Sequence, residues 1–324
     1  MRNRTAEAAQ PEVTVRPLEE RDLPAADRIL RFAFGTFLGL PEPLSFMGDA
    51  DYVRTRWLAD PSAAFGAEID GELVGSNFAT SWGSTGFFGP LSIRPDFWDR
   101  GVGKRLMEPV LGCFERWGTK HAGLFTFAHS QKHVGLYQKF GFWPRFLTAV
   151  MTTAVGQPAP TPRWTRFSDL PESEREPMLR ACREVTGAAS AGLDVSREIR
   201  AVAQQGLGDT LLLRADAGRL AGLAVCHCGP GSEAGSGICY VKFGVVRPGP
   251  AAAADFDHLL DACGSMAAEG GLRRLVAGVN LARHEAYLRM LGRGFRTDLQ
   301  GIAMQRPDEP GYNRAGVYLI DDWR

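Results

Sequence analysis

The chain has 324 residues, 44% of them hydrophobic and 10% aromatic, so it can bury a core and is not a disordered polypeptide; its length suits two domains. Lysine plus arginine number 37 and aspartate plus glutamate 37, and cutting at Gly156 leaves 17 of each sign before it and 20 of each after it. Neither half is a polycation, which argues against nucleic acid or an anionic membrane as a partner. No apolar run reaches the length of a membrane span, and MRNRTAEAAQPE lacks the apolar stretch of a signal peptide. Residues 1–12 therefore read as a flexible tail, and the expected location is cytoplasmic.

In chain order, a strand near Val13-Thr14-Val15 leads into an apolar-periodic helix through Ile29, Leu30, Phe34 and Phe37. A hairpin follows, residues 64–69 and 73–80, joined by Asp70-Gly71, a dipeptide suited to a tight turn with positive φ. A strand over 86–93 precedes a helix with apolar positions Leu106, Met107, Val110, Leu111, Phe114 and Trp117. A strand over 123–128, a short helix around 136–140 and a strand over 147–152 complete the unit. The fold class is α/β, an α+β arrangement with a mixed sheet.

This unit occurs twice. Arg16 and Asp22-Leu23 recur 147 residues later as Arg163 and Asp169-Leu170, and the turn 70–75 recurs as 217–222. The offset then becomes 153: Arg94-Pro95 matches Arg247-Pro248, and Gly141-Phe142 matches Gly294-Phe295. The extra residues are expected in the Gly/Ser-rich stretch 229–237. These offsets divide the chain into a first domain, 13–155, a stiff proline-rich linker, 156–162, a second domain, 163–310, and a docking segment, 311–324.

The six cysteines are scattered and form no secreted disulfide framework. Cys226-His227-Cys228 is spelled like a metal site. It sits in a strand-like run with no second ligand pair at zinc spacing, so no metal is expected.

The chemistry concentrates in two segments. The first is Leu91-Ser92-Ile93-Arg94-Pro95 followed by Trp98-Asp99-Arg100-Gly101-Val102-Gly103-Lys104-Arg105. A strand ends at a proline and Gly-x-Gly opens an amphipathic helix, whose unpaired first-turn amides and positive dipole end suit a phosphate. Taken alone, Gly-x-Gly is equally a tight turn. The second segment is Leu136-Tyr137-Gln138-Lys139-Phe140-Gly141-Phe142, a short helix closed by glycine.

Together the two segments resemble the GNAT superfamily of acyl-CoA-dependent N-acyltransferases. The opening Val13-Thr14-Val15-Arg16-Pro17 with Asp22-Leu23 is similar to that family's first strand and helix, so the resemblance spans about residues 13–153. The repeat extends it to two GNAT-like domains in tandem. The resemblance implies acetyl-CoA or another acyl-CoA as cofactor. It places the pyrophosphate on Arg100, Gly101, Val102, Gly103, Lys104 and Arg105, and the thioester along Leu91, Ser92 and Ile93, with the Ile93 amide beside the carbonyl oxygen. Two positions depart from the family pattern: Trp98 stands where glutamine or arginine is usual, and Ser130, also expected at the cofactor, where many members have asparagine.

By the same resemblance Tyr137 protonates the departing thiolate; on its residue type alone it is equally a core aromatic beside Leu136 and Phe140. An incoming ammonium needs a base, for which His129, His133 and, through water, Glu68 are candidates. In some tandem relatives a C-terminal carboxylate enters the first domain's site, which adds the carboxylate at Arg324, or Asp322. The competing reading makes residues 317–320 an edge strand of the second domain. The second repeat places Ala254, Phe256 and Met290 where the first has Gly101, Gly103 and Tyr137, so its cofactor site reads as lost, with Tyr287 packing or lining a surface. The expected reaction moves an acetyl or other short acyl group to an amine of a small metabolite by direct attack, across a cleft bordered by Trp57, Trp82, Phe87 and Phe88. The alternative is an acyl-CoA-binding sensor or scaffold with little turnover.

Overall fold

The structure, a computed structural model, describes residues 12–157, 164–215 and 219–324. The tail expected over 1–12 lies outside them as far as residue 11. So do residues 158–162 of the expected linker and the start of the hairpin turn at Ala217-Gly218.

The first half runs β1 (Thr14–Pro17), α1 (Leu23–Phe37), α2 (Val53–Ala59), β2 (Ala64–Ile69), β3 (Glu72–Trp82), β4 (Thr85–Phe88), β5 (Ser92–Ile93), α3 (Val102–Trp117), β6 (His121–Thr126), α4 (Gln131–Gln138) and β7 (Trp143–Ala154). Asp70 and Gly71 both take positive φ, as a two-residue turn matched to the twist of β2 and β3 requires. The strand expected over 86–93 is two strands. Pro90 has no N–H for a ladder, and at Gly89 the chain turns away: β4 pairs in parallel with β6, whereas β5 pairs only with β3. This break opens a cleft between β5 and the end of β6.

The second half repeats the order as β8 (Trp164–Arg166), α5 (Glu172–Ala189), α6 (Ser196–Gln205), β9 (Gly208–Arg214), β10 (Leu220–Gly229), β11 (Gly235–Val246), α7 (Ala252–Glu269), β12 (Arg274–Asn280), α8 (His284–Gly292) and β13 (Arg296–Arg306), and adds β14 (Leu319–Ile320). Residues 229–235 are the hairpin loop expected to hold the extra residues of this repeat. Strand register confirms the repeat: Thr85 pairs with His121, and Ile238 with Arg274, each 153 residues on.

The two halves form one mixed sheet, ordered β1-β2-β3-β4-β6-β13-β7-β12-β11-β10-β9-β8. The last long strand of each half sits against the other half. Thr126 of β6 pairs with Ile302 of β13, and the same pairing shifted by 153 residues joins Val279 of β12 to Ala149 of β7. The exchange is reciprocal about the β13–β7 pair, so neither repeat completes its sheet alone.

Five apolar clusters occur among the described residues, of which three bear on the site and the joining of the halves. One lies under α3 in the first half, including Leu106, Met107, Val110 and Phe142. A second lies under α7 and includes Phe256, Leu259, Met290 and Phe295. The third is shared, with Trp82 and Phe87 of the first half packed on Leu179, Ile199 and Phe243 of the second, Trp82 and Phe243 at 5.1 Å. Among the described residues no helix is long and apolar enough to cross a membrane.

Candidate active site

A cavity of about 1000 Å³ occupies the first half at the β5–β6 cleft. Its walls come from α1, the loop before α2, the β4–β5 break, the start of α3, the end of β6, α4, Leu299 of β13 and the last two residues of the chain, Trp323 and Arg324.

The α3 end of the cavity fits the phosphate cradle implied by the sequence. Gly101 caps the helix with φ +79°, a left-handed conformation that side chains disfavour, and a Cβ there would meet nothing within 4 Å. Behind it the Lys104 amide donates to the Gly101 carbonyl at 3.0 Å, and the amides of Val102 and Gly103 precede the helix's own hydrogen-bond ladder. Arg100, Gly101, Val102, Gly103 and Lys104 line the cavity, with Arg100 and Lys104 exposed. A Cβ on Gly103 would lie 3.2 Å from Ile93 Cδ1 and 3.3 Å from Leu136 Cδ2, so this glycine lets α3 approach β5 and α4 closely. Arg105 is placed differently from the expectation: it does not line the cavity, and its guanidinium is paired with Glu108 at 2.8 Å on the helix surface.

Trp98, at the departure from the family pattern, donates its indole N–H to the Ile93 carbonyl at 2.8 Å and lies under the Lys132 ammonium, 5.3 Å from the ring centroid. It therefore braces the loop to β5. Lys132 is paired with Asp99 at 2.8 Å and, with Lys139, adds positive charge to the same end, which the motif reading missed.

Leu91, Ser92 and Ile93 line the cleft, and the Ser92 hydroxyl is hydrogen-bonded to that of Ser76 at 3.1 Å. Tyr137 lines it from α4, its ring edge-on to Phe88 at 5.6 Å. Burial pushes its phenol well above the usual tyrosine range, so the group stays protonated at neutral pH and above. Ser130 caps α4 by accepting the His133 amide at 3.4 Å.

His133 stands one helical turn before Tyr137 and also lines the cavity, with its ring 5.0 Å from that of Phe37. Burial, followed by the charges of Lys132 and His129, lowers its pKa, so its imidazole is neutral at pH 7. His129 is exposed, stacks on Phe37 at 5.7 Å and is not part of the cavity wall. Glu68 is remote from the wall, bound to Arg16 at 2.5 Å. Of the four aromatics expected to border the cleft, only Phe88 does. Trp82 and Phe87 are interdomain core, and Trp57 donates to the Leu18 carbonyl at 2.9 Å.

The C-terminal segment joins the two halves. Residues Leu319 and Ile320 pair with Val245 and Gly244 of β11, beyond the point where β11 leaves β12. In the first half the equivalent place is the β5–β6 cleft, so β14 fills the second half's own slot rather than closing an outer edge. Trp323 then lies on Gly123 of β6, where a Cβ would come within 2.4 Å of the indole, and donates to the Tyr312 hydroxyl at 2.9 Å. Asp322 is withdrawn from the cavity. It accepts from Tyr240 at 2.9 Å and pairs with the Arg324 guanidinium at 3.0 Å.

The main-chain oxygen of Arg324 accepts from Arg56, whose other donors reach the Gly89 carbonyl at 2.5 Å and Glu233 at 2.9 Å and 3.1 Å. Glu233 and Glu198 share Lys242, each at 2.8 Å. This buried array links α2, the β4–β5 break, the second half and the chain end. No local motif marks it, because its partners are up to 268 residues apart.

The second half keeps the fold without the cradle. Phe256 is fully buried, with its ring 5.5 Å from that of Tyr318, Met290 is core, and Tyr287 packs against the same cluster. Cys226 and Cys228 face Cys239, whereas His227 points the opposite way, accepting the Glu233 amide at 3.2 Å.

Residues 30–142 match the model of the acetyltransferase (GNAT) family. No curated protein sequence matches the chain. Among solved structures, a Pyrococcus horikoshii protein described as an acetyltransferase aligns at 15% identity and TM-score 0.66, covering 98% of this chain and 96% of that one. A GCN5-related N-acetyltransferase from Sphaerobacter thermophilus aligns at 16% and 0.55 over 91% and 95% of the two chains. A tandem GNAT protein from the clavulanic acid biosynthesis pathway aligns at 12% and 0.55 over 91% and 98%. At these identities the likeness is one of fold.

Proposed function

We propose that this chain, which has the tandem GNAT fold and matches the acetyltransferase (GNAT) family model over residues 30–142, transfers a short acyl group, most simply acetyl, from acyl-CoA to the amine of a small molecule. One observation carries the reading: a single cavity is lined at once by the cradle residues Gly101 and Lys104, by Tyr137 and by the C-terminal pair. The second half is structural, since Phe256 and β14 fill its slot.

In this reading the α3 amides, Arg100 and Lys104 hold the pyrophosphate, and the strand Leu91–Ile93 aligns the thioester. The amine nitrogen attacks the thioester carbon while the Ile93 amide supports the developing charge on oxygen. As the carbon–sulfur bond breaks, Tyr137 gives its proton to sulfur, and the amine's surplus proton passes to neutral His133. Among the described residues no cysteine lines the cavity, which favours direct attack over a covalent acyl-enzyme.

Thiol release from acetyl-CoA across a panel of amines tests the proposal. Amine-dependent release that falls in the Tyr137→Phe variant supports it. Stoichiometric binding of acetyl-CoA without release by any amine would instead make the protein an acyl-CoA-binding sensor.

A further inference from the structure

Resting on the acyltransferase reading above, we propose that the acceptor is a primary amine on an apolar, aromatic body that carries no second charge. The acceptor side of the cavity is walled by rings. Phe34 stacks on Phe46 at 5.4 Å, and Phe37 meets Phe127 at 5.0 Å, with Met47 and Leu299 beside them and the buried Tyr52 hydroxyl, unpartnered among the described residues, as a polar group in the same wall. Such a surface favours a flat apolar group and offers few hydrogen bonds to a hydroxylated one.

Charge placement points the same way. Asp99, Arg100, Lys104 and Lys132 belong to the loop before α3, to α3 or to the first turn of α4, the end that fits the pyrophosphate, and Lys139 directly follows α4. Asp99, already paired with Lys132, is the one carboxylate side chain among the described lining residues. On the acceptor side the Arg324 guanidinium has its Nε 3.0 Å from Asp322 and lies on the Tyr240 ring, 4.6 Å from its centroid. The Arg56 donors are occupied by Glu233, the Gly89 carbonyl and Arg324 itself. A polyamine or aminoglycoside would bury extra ammonium groups with no carboxylate side chain on that side to meet them, and an amino acid would bury a carboxylate where the Arg324 guanidinium already faces Asp322. A lone amine needs one proton acceptor and an apolar berth, and this chamber supplies both.

The cavity is larger than a short acyl group and a pantetheine arm require, so a long acyl chain is the competing occupant, and the experiment separates the two. Thiol release is measured with acetyl-CoA and octanoyl-CoA against 2-phenylethylamine, spermidine, an aminoglycoside and phenylalanine, which adds only a carboxylate to the same ring. We expect kcat/KM for 2-phenylethylamine to exceed that for each charged acceptor by roughly 30-fold or more. Phe37→Ala should raise the KM for 2-phenylethylamine while leaving that for acetyl-CoA near wild type, with Phe37→Leu intermediate. A preference for spermidine, the aminoglycoside or phenylalanine overturns the inference. So does a preference for octanoyl-CoA that Phe37→Ala abolishes. If no amine releases thiol, calorimetry of 2-phenylethylamine on the CoA-saturated protein decides: binding keeps the ligand class while the transfer reading fails, and no binding overturns both.

Discussion

Phe256 of α7 and Tyr318 of the C-terminal segment hold their rings 5.5 Å apart in the region of the second half that corresponds to the first half's β5–β6 cleft. Phe256 is the counterpart of Gly103, and Tyr318 immediately precedes the two residues that pair with β11. One half keeps the slot open and the other has it filled by the chain's own end. Phe256→Gly should therefore destabilise the protein by about 3–5 kcal/mol through a core cavity, without creating a second site. Thermal unfolding alongside calorimetry with acetyl-CoA checks both, and a gain of a second bound molecule contradicts this assignment.

Tyr137→Phe retains the ring that packs on Phe88 and removes the proton donor. Turnover should fall by up to about 100-fold, the lower end for general acids because a thiolate leaves readily, while acetyl-CoA affinity stays close to wild type. Single-turnover kinetics make the comparison. An unchanged chemical step assigns Tyr137 to packing.

His133 accepts a proton only when neutral, and its pKa is lowered from 6.5. kcat/KM should hold through neutral pH and fall as acid protonates the ring, below the usual histidine range. His133→Gln should lower activity and flatten that acidic limb. If the limb persists in this variant, His133 is not the proton acceptor.

Arg56 lies in a buried pair with Glu233 and holds the main chain at Arg324. Arg56→Ala leaves buried Glu233 with only Lys242, which it shares with Glu198, and should cost on the order of 3 kcal/mol. It should also release the end of the chain, seen as faster hydrogen exchange over residues 317–324. Lost stability with unchanged exchange there separates Arg56 from tail anchoring.

Burial alone would raise the Glu198 carboxyl, but Lys242 at 2.8 Å brings it from 4.5 down to about 2. A depressed folded-state value stabilises the fold above pH 4.5, and that contribution fades as pH falls from 4.5 through about 2. It is on the order of 3 kcal/mol. Urea unfolding at pH 7 and pH 3 should show a smaller acid-induced loss for Glu198→Gln than for wild type. An equal loss excludes Glu198 as a source of the pH dependence.

The elements of each repeat were legible because their signals are local: the Asp70-Gly71 turn, the apolar stripe from Leu106 to Trp117, and the offset of 153 that strand register reproduces. The cradle at Gly101 and the acid candidate Tyr137 stood in short motifs for the same reason. The strand exchange was not legible, since β7 and β13 have the same alternation whichever neighbour they pair with. Phe34 and Phe37 read as helix core because periodicity shows which face is apolar without showing whether protein covers it. Arg56 and Glu233 escaped notice because a buried ion pair between residues 177 apart leaves no spacing to read.

The central claim is that one half of this tandem fold holds and uses acyl-CoA. Its most direct test is calorimetric titration of the full chain with acetyl-CoA, beside a Gly101→Asp variant. Position 101 serves better than 103, where a new side chain would press on Ile93 and Leu136, whereas a Cβ at 101 meets nothing within 4 Å. Aspartate is also among the residues that tolerate the left-handed conformation there, and its carboxylate would stand against the pyrophosphate. The account predicts one molecule bound per wild-type chain and none per variant chain, with unfolding temperature close to wild type. Two molecules per wild-type chain, or undiminished binding by the folded variant, would contradict it.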